Sequence, residues 1–192
     1  MLHLPALLPA ATLLRWRATL DTQPGGSLKL AEALDIGEVL QALRPLRPLV
    51  EQRLGAAPQV IVSQCWARRA MPAHSWHQDG ALHHDFATPA PPLPMWTAWL
   101  PLVDCGVHAP GLEWLLPSLP RLLSPAELQQ PLGAVQHPAL GAGDLLLFDG
   151  GLLHRSHVTP AMTLPRTSIE LRFIAAGPVP TRLRGETLRP WF

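Results

Sequence analysis

The stretch GAGDLLLFDGGLLHRSH, residues 141–157, carries the strongest signal for the fold. Its apolar run, 145–148, stands between two aspartates, with glycine-rich turns before and after it. A short apolar run bounded by turn residues is typical of a buried β-strand. The stretch therefore predicts a strand over 144–149 that ends in a tight turn, with His154 shortly beyond it.

Similar short segments occur on both sides of this stretch, separated by loops rich in glycine and proline. The sequence predicts further strands at 58–66, 95–103, 112–116 and 167–175.

Before residue 55 the pattern changes, because apolar residues recur every three or four positions and predict helices. Asp35 is the expected N-cap of one helix, and Pro45 and Pro48 are expected to divide the segment. Helices followed by short strands predict a mainly β sandwich or barrel with flanking N-terminal helices.

The composition fits a single domain over residues 1–192, with a β core at about 58–176. The chain is 47% hydrophobic and 15% charged, which is typical of a folded protein with a substantial core. A net charge of +1 without a basic run gives no support to nucleic-acid binding, and no apolar run is long enough to cross a membrane. The two cysteines form no metal or disulfide pattern, so we expect buried thiols and a cytoplasmic location.

The segment SWHQDG, residues 75–80, places His77 and Asp79 one residue apart and upstream of His154. Two histidines and one carboxylate form a set that binds one face of Fe(II) and leaves positions open for a co-substrate and dioxygen. These residues alone leave an alternative open, in which the histidines are structural, hydrogen-bonded residues of a β-protein.

The segment PRTSIELRF, residues 165–173, follows His154 and begins another predicted strand. Arg166 and Ser168 are two residues apart and therefore lie on one face of that strand. A guanidinium binds a carboxylate through two parallel hydrogen bonds, and a nearby hydroxyl adds a donor. The pattern fits a 2-oxoacid whose far carboxylate meets Arg166 while its near end chelates iron. The alternative is a surface pair of Arg166 with Glu170 or Asp149.

With these motifs in this order, the chain resembles the bacterial phytanoyl-CoA dioxygenase-like branch of the Fe(II)/2-oxoglutarate oxygenases. The resemblance covers roughly residues 58–176 and rests on SWHQDG, GAGDLLLFDGGLLHRS and PAMTLPRTSIELRF. It implies a double-stranded β-helix, or jelly roll, with iron at one mouth. By this resemblance His77, Asp79 and His154 are the iron ligands, and Arg166 binds the C5 carboxylate of 2-oxoglutarate.

The resemblance also extends to the surroundings of the co-substrate. Ser168 would assist Arg166, and Arg172 is a reserve candidate on the same strand face. The positions that line the co-substrate pocket in this family correspond to Gln64, Thr97 and Trp99.

The substrate is expected near a proline-rich lid or entrance loop at 80–94, just after the metal motif. For His84 an exposed loop position is an equally weighted alternative. The candidate substrate-binding residues are His84, Phe86, Trp114 and Arg155.

The function predicted from the sequence is a 2-oxoglutarate-dependent dioxygenase that hydroxylates a small molecule. Asp79 argues against halogenation, because the halogenases that resemble this motif carry a small residue there. The substrate class stays open between natural products, amino acids and lipid-like molecules, because APGLEWLLPSL departs from the usual family pattern. Two alternatives are a non-catalytic jelly-roll binding protein and a zinc-dependent cupin-like enzyme. Neither alternative requires Arg166 in register with the triad.

Overall fold

A computed structural model describes residues 1–70, 74–87, 91–129, 133–178 and 181–192. Within these ranges, eight strands form a major antiparallel sheet and two strands form a minor sheet. Residues of both sheets line one internal cavity, so the sheets face each other as the two halves of a jelly roll. This confirms the predicted fold class, a mainly β jelly roll with flanking N-terminal helices.

The strands and helices follow one another in a fixed order along the chain. The strands are β1 (Leu2–Leu4), β2 (Gly26–Lys29), β3 (Pro58–Ile61), β4 (Trp66–Ala70), β5 (Met95–Pro101), β6 (Gly111–Trp114), β7 (Leu145–Asp149), β8 (His154–His157), β9 (Arg166–Ala175) and β10 (Leu188–Pro190). The helices are α1 (Ala10–Asp21), α2 (Leu30–Ala33), α3 (Ile36–Ala42) and α4 (Arg47–Leu54). None of the helices in the described ranges has the length and hydrophobicity needed to cross a membrane.

The major sheet runs in the order β1-β7-β5-β9-β3-β10, and β6 pairs with β8 in the minor sheet. Strand β9 is the centre of the major sheet, because β5 lies along one edge while β3 and β4 share the other. Strand β2 extends the sheet beyond β4.

Strand β9 separates the apolar core from the polar interior, because its side chains alternate between the two faces. Ile169, Leu171 and Phe173 are fully buried in the main hydrophobic cluster, together with residues of α1 to α4. The opposite face carries polar and charged residues that point toward the minor sheet: Arg166, Ser168, Glu170 and Arg172.

The helical segment divides where the sequence predicts. Asp35 caps α3, since its Oδ1 accepts hydrogen bonds from the backbone amides of Gly37 and Glu38. Pro45 lies in a 3-10 turn between α3 and α4, and Pro48 lies in the first turn of α4, where a missing amide hydrogen does no harm.

Several elements differ from the sequence-based prediction. The predicted strand 58–66 is two strands, because residues 62–64 form a 3-10 turn that brings β3 and β4 onto one edge of β9. Strands β1, β2, β8 and β10 and helix α1 were not predicted. The sequence of β8, HRSH, lacks apolar alternation, and its strand form comes from pairing with β6.

The C-terminal residues fold back onto the domain. Strand β10 pairs with β3, and the Trp191 ring stacks on Phe173 with centroids 4.8 Å apart. The Trp191 indole nitrogen donates a hydrogen bond to the backbone oxygen of Leu40 at 3.1 Å. Trp191 is 3% exposed, whereas Phe192 is 90% exposed.

Replacing Trp191 with alanine should therefore lower the free energy of unfolding by about 3–5 kcal/mol, as expected for loss of a large buried aromatic. The measurement is urea denaturation followed by circular dichroism. Phe192→Ala is the matched control and should change the stability by less than about 0.5 kcal/mol. Equal effects of the two substitutions would show that the terminus does not pack as described.

Candidate metal centre

A close approach of two backbone segments brings the first two candidate ligands together. His77 and His154 form an antiparallel bridge, each amide donating to the other's carbonyl at 3.0 Å. Three residues along, the Gly80 amide donates to the Gly150 carbonyl at 2.9 Å. A Cβ built on Gly80 would lie 3.0 Å from that carbonyl oxygen, so a larger residue there would push the segments apart.

The imidazoles of both histidines are held in a metal-binding orientation. Nδ1 of His77 lies 2.7 Å from the carbonyl of Ser75, and Nδ1 of His154 lies 3.0 Å from that of Leu152. A carbonyl only accepts hydrogen bonds, so Nδ1 carries the proton in each ring and Nε2 presents its lone pair. The two rings lie 4.2 Å apart, between centroids.

Asp79 completes the cluster. One ligand atom from each of His77, Asp79 and His154 lies within 4.8 Å of the others. Asp79 is 1% exposed, and its carboxylate is hydrogen-bonded on both oxygens: Thr97 Oγ1 donates to Oδ2 at 2.6 Å and Arg172 donates to Oδ1 at 2.9 Å. Burial would raise the pKa of Asp79, but the Arg172 guanidinium and the two imidazoles hold it well below its ordinary value. Asp79 is therefore an anion ready to bind a cation.

The buried imidazole predicts a pH-dependent stability of the metal-free protein. Burial lowers the pKa of His154 from 6.5 to about 4. Between these values the unfolded chain binds a proton at this position and the folded chain does not, so stability falls as the pH falls. The free energy of unfolding should drop by about 3 kcal/mol between pH 7 and pH 4. Asp79, whose pKa is lowered below 3.8, loses its contribution only at still lower pH.

Urea unfolding at a series of pH values measures this slope. The His154→Gln variant is the control, since it lacks the titrating group and should show a flatter dependence. Parallel curves for the two proteins would contradict the assignment of the slope to His154.

Arg166 is a buried guanidinium with few partners. It is 1% exposed, its Nη1 donates to the Gly111 carbonyl at 3.3 Å, and its Nε has no hydrogen-bond partner. Its guanidinium lies 5.6 Å from the centroid of the Trp99 ring. Among the residues that the structure describes, no carboxylate forms an ion pair with Arg166, and the surface pair with Glu170 or Asp149 is absent. Burial lowers the pKa of Arg166 to about 10, so it remains charged at pH 7.

The histidines and Arg166 line one cavity of about 40 Å³ between the two sheets. Trp99, Leu112 and Phe148 form its apolar wall, and His74 is its exposed member. Its charged lining residues are Arg68, Arg166, Glu170 and Arg172. The tertiary structure thus places a cationic group and the two candidate histidine ligands around the same partly open cavity.

The other residues predicted to line the co-substrate pocket lie in different places. Trp99 lines the cavity, whereas Thr97 binds the Asp79 carboxylate. Ser168 is buried on the same face of β9 as Arg166 but does not line the cavity. The Gln64 side chain binds Glu186 at 2.9 Å, and only its backbone carbonyl, which accepts from Arg172, belongs to the site.

Of the four predicted substrate-binding residues, Arg155 alone lines a cavity that adjoins the metal cavity. Trp114 is 2% exposed and packs in a hydrophobic cluster, so it does not line the cavity. His84 and Phe86 pack edge to face, with ring centroids 4.7 Å apart, and also lie outside the cavity lining. The predicted lid at 80–94 starts within a 3-10 helix, Asp79–His83, and its residues 88–90 lie outside the described ranges.

Arg155 lines a second cavity of about 770 Å³ that shares His74 and Ser156 with the first. In β8, His154 and Ser156 face the smaller cavity, while Arg155 and His157 point to the other side. Both of these outward residues bind the Glu113 carboxylate, and the Arg155 guanidinium lies 4.7 Å from the Trp76 ring centroid.

Sequence reasoning missed several residues that shape the centre. Gln78, between the two ligands, is buried and holds a neighbouring loop: it donates to the carbonyls of Arg121 and Gly151 and accepts from the amide of Leu123. Arg68 and Glu170 form an ion pair of 3.1 Å inside the cavity. The only available signal was the run of polar residues at alternate positions of β9, in an otherwise apolar strand.

Neither a protein-family model nor a curated protein matches this chain. Solved structures match it in fold. The epimerase SnoN from nogalamycin biosynthesis, in complex with Fe³⁺, α-ketoglutarate and nogalamycin RO, is 19% identical, with 91% of this chain and 78% of that chain covered and a TM-score of 0.67. EvdO2 from Micromonospora carbonacea var. aurantiaca, complexed with 2-oxoglutarate, is 17% identical over 94% of this chain and 89% of that chain, with a TM-score of 0.67.

HygX from Streptomyces hygroscopicus, with iron bound, is 14% identical over 91% of this chain and 81% of that chain, with a TM-score of 0.67. At these identities the likeness shows the jelly-roll fold. The fold and the cluster together define a jelly-roll protein with a two-histidine, one-carboxylate candidate metal centre.

Proposed function

We propose that this protein is an Fe(II)- and 2-oxoglutarate-dependent dioxygenase that hydroxylates a small molecule, of the phytanoyl-CoA dioxygenase-like type. The observation that carries the proposal is Arg166, a buried cation without an acidic partner in the described chain, in the same cavity as His77 and His154. A charge buried without a counter-ion is unfavourable, so its presence indicates a ligand that supplies the counter-ion.

The balance of charges in the cavity identifies the kind of ligand. The guanidiniums of Arg68 and Arg172 are balanced by the carboxylates of Glu170 and Asp79, with which they form ion pairs. Arg166 is left over, and a divalent metal would add further positive charge. A dicarboxylic 2-oxoacid would balance both charges, because one end chelates the metal while the other carboxylate neutralises Arg166.

The residues of the site fit an iron ion, and each has a defined task. His77 and His154 offer Nε2 and Asp79 offers a carboxylate oxygen, a set typical of non-heme Fe(II). An iron ion held by these three residues would supply the activation of dioxygen that is coupled to decarboxylation of a 2-oxoacid. Arg166 orients the co-substrate, and Trp99, Leu112 and Phe148 exclude water around it.

The cavity must widen to admit the co-substrate. Its volume of about 40 Å³ is far below the range of about 300–1,000 Å³ that is typical of ligand pockets. The cavity opens to solvent at His74, which is exposed, and at the partly exposed side chains of His77 and Arg68. Co-substrate binding therefore includes displacement of side chains at this mouth.

We infer that the substrate occupies the adjoining cavity of about 770 Å³, which shares His74 and Ser156 with the metal cavity. Its walls carry Arg155, Glu113 and His157, so the cavity favours a polar small molecule over a lipid-like one.

The Asp79 carboxylate supports hydroxylation over halogenation, since the position that a halide would take is filled.

Two other functions would use part of this arrangement. A zinc-dependent enzyme of cupin-like form would use the same three ligands, and a non-catalytic binding protein would need only the fold. Neither accounts for a buried arginine with an unpaired Nε beside the ligands, which favours the oxygenase.

The test is anaerobic addition of Fe(II) and 2-oxoglutarate to the metal-free protein. We expect a weak visible metal-to-ligand charge-transfer band, followed by succinate release when air is admitted. Zn(II) in place of Fe(II) is the control and should give neither signal. If Fe(II) gives no band and no succinate while the protein binds Zn(II), the zinc alternative replaces the proposal.

We also infer that residues 1–192 form a single oxygenase domain. The main hydrophobic cluster contains residues of α1 to α4, β9 and the C-terminal Trp191, so the helices and the sheet share one core.

A further inference from the structure

We propose that Arg172 is a positioning residue, which together with Thr97 holds the Asp79 carboxylate so that one oxygen, Oδ1, faces the two histidines. The inference rests on the metal centre of the proposed function. It concerns how the Asp79 carboxylate is oriented in the metal-free protein.

Asp79 differs from the histidines in how it is held. His77 and His154 are fixed by their backbone bridge and by Nδ1 hydrogen bonds to nearby carbonyls. Asp79 begins a 3-10 turn, Asp79–His83, and its carboxylate is fixed by side chains that come from the major sheet. The third ligand therefore depends on side-chain hydrogen bonds from the major sheet, whereas the other two are held by backbone groups.

The register of the major sheet brings the two donors together. Thr97 in β5 and Arg172 in β9 lie directly opposite each other. Side chains of such a pair are neighbours on one face of a sheet, so both reach the same carboxylate. A shift of one residue in either strand would turn one donor to the apolar face.

The two donors take different oxygens. Oδ1 lies 3.8 Å from Nε2 of His77, which makes it the oxygen that faces the metal position, and Arg172 donates to it at 2.9 Å. Thr97 donates to Oδ2 at 2.6 Å and keeps it turned away. A carboxylate held in this way binds a metal through one oxygen, which leaves the remaining coordination positions free for a co-substrate and dioxygen.

Arg172 is itself fixed at both ends of its planar group. Nη1 donates to the Gln64 carbonyl at 2.6 Å, and Nη2 is shared between Asp79 and Glu170, the latter at 3.1 Å. Glu170 also binds Arg68, again at 3.1 Å. Lysine has a single nitrogen on a flexible chain and cannot reach the Gln64 carbonyl and Asp79 together. The geometry therefore requires a guanidinium and not only a positive charge.

Loss of the positive charge of Arg172 and loss of its positioning of Asp79 should change the affinity for a metal in opposite directions. A cation beside a metal ligand repels an incoming dication, so removal of the charge alone would tighten metal binding. Loss of positioning would instead weaken it, because the carboxylate would have to be ordered when the metal binds. The sign of the change in metal affinity therefore separates the two.

The experiment measures binding of Co(II) to the metal-free protein by its visible absorption, for Arg172→Met, Arg172→Lys and the wild type. Both variants should bind Co(II) about 10- to 100-fold more weakly, as for loss of other groups that orient metal ligands. Arg44→Met is the matched control, since Arg44 is exposed in the helical region, and should bind as the wild type does. Unchanged or tighter binding by both Arg172 variants would overturn the proposal.

Thr97→Val gives a second test that does not depend on the stability of the Arg172 variants. It removes the hydroxyl that holds Oδ2 and keeps the shape of the side chain. We expect a changed visible spectrum of bound Co(II), because Oδ2 becomes free to bind the metal in place of a solvent ligand and alters the ligand field. A spectrum identical to that of the wild type would contradict the role of Thr97 in the proposal.

Failure of this inference is distinguishable from failure of the proposed function. The Co(II) measurements contain no 2-oxoglutarate and no oxygen chemistry. If the Arg172 variants bind Co(II) normally and the wild type releases succinate, the positioning role is rejected and the proposed function stands. If the Arg172 variants bind Co(II) more weakly and the wild type does not respond to 2-oxoglutarate, the positioning role stands and the oxygenase function is rejected.

Discussion

Replacing His154 with alanine is expected to lower the affinity for Fe(II) by more than about 100-fold and to abolish succinate release. The substitution removes one of three ligands, and the bridge to His77 cannot replace the lost imidazole nitrogen, because it consists of backbone hydrogen bonds. Equilibrium dialysis with Fe(II) under argon measures the affinity, and succinate release measures the turnover.

The matched control is His108→Ala, which removes an exposed histidine outside the cavity. Circular dichroism should show both variants folded, since the backbone bridge at residue 154 persists with alanine. Fe(II) binding by His154→Ala as tight as that of the control would exclude His154 as a ligand.

Replacing Arg166 with methionine is expected to weaken 2-oxoglutarate binding by at least about 100-fold while leaving Fe(II) binding within a few-fold of the wild type. Two hydrogen bonds between charged groups contribute about 1.5–3 kcal/mol each, which accounts for this factor. The metal should be little affected, because the hydrogen bond and ring contact of Arg166 involve Gly111 and Trp99 and not the ligands. Titration of the charge-transfer band with 2-oxoglutarate measures the affinity.

Arg166→Lys should recover only part of the affinity, since an ammonium group keeps the charge without the planar pair of donors. We also expect Arg166→Met to leave the stability of the metal-free protein unchanged or to raise it, because it removes a buried charge that has no acidic partner among the described residues. An affinity for 2-oxoglutarate equal to that of the wild type would assign Arg166 to a structural role.

These two predictions concern His154 and Arg166, which were both proposed as site residues from the sequence. They could be recognised there because of their residue types and their positions relative to the predicted strands. His77 and Asp79 are separated by one residue, and His154 follows an apolar strand with a glycine turn. Their residue types and local surroundings can therefore be recognised without a structure. The same holds for the fold class, because strands and helices leave different periodic patterns of apolar residues. Five strand segments and the helical start were predicted in this way, and the structure confirms the fold class.

Sequence reasoning was weakest where a side chain's role depends on its neighbour across a sheet. Gln64 and Thr97 were assigned to the co-substrate pocket, but Gln64 contributes a carbonyl to Arg172 and Thr97 binds Asp79. Trp114 was assigned to the substrate and lies in the core. The pairing of β6 with β8 puts Trp114 on the inner face of the minor sheet, but its ring packs in a hydrophobic cluster beside the cavity. The sequence of a single strand gives no indication of such packing.

The order of residue types along the chain therefore identified a candidate metal-binding set and a basic residue downstream of it. Only the folded sheets showed that Arg166 lacks an acidic partner in the described chain, that Glu170 lies between Arg68 and Arg172, and that Arg172 meets Asp79. Covalent neighbours determine local conformation, whereas a charge acquires its partner through strand register and sheet packing, and these bring together residues as far apart as Asp79 and Arg172.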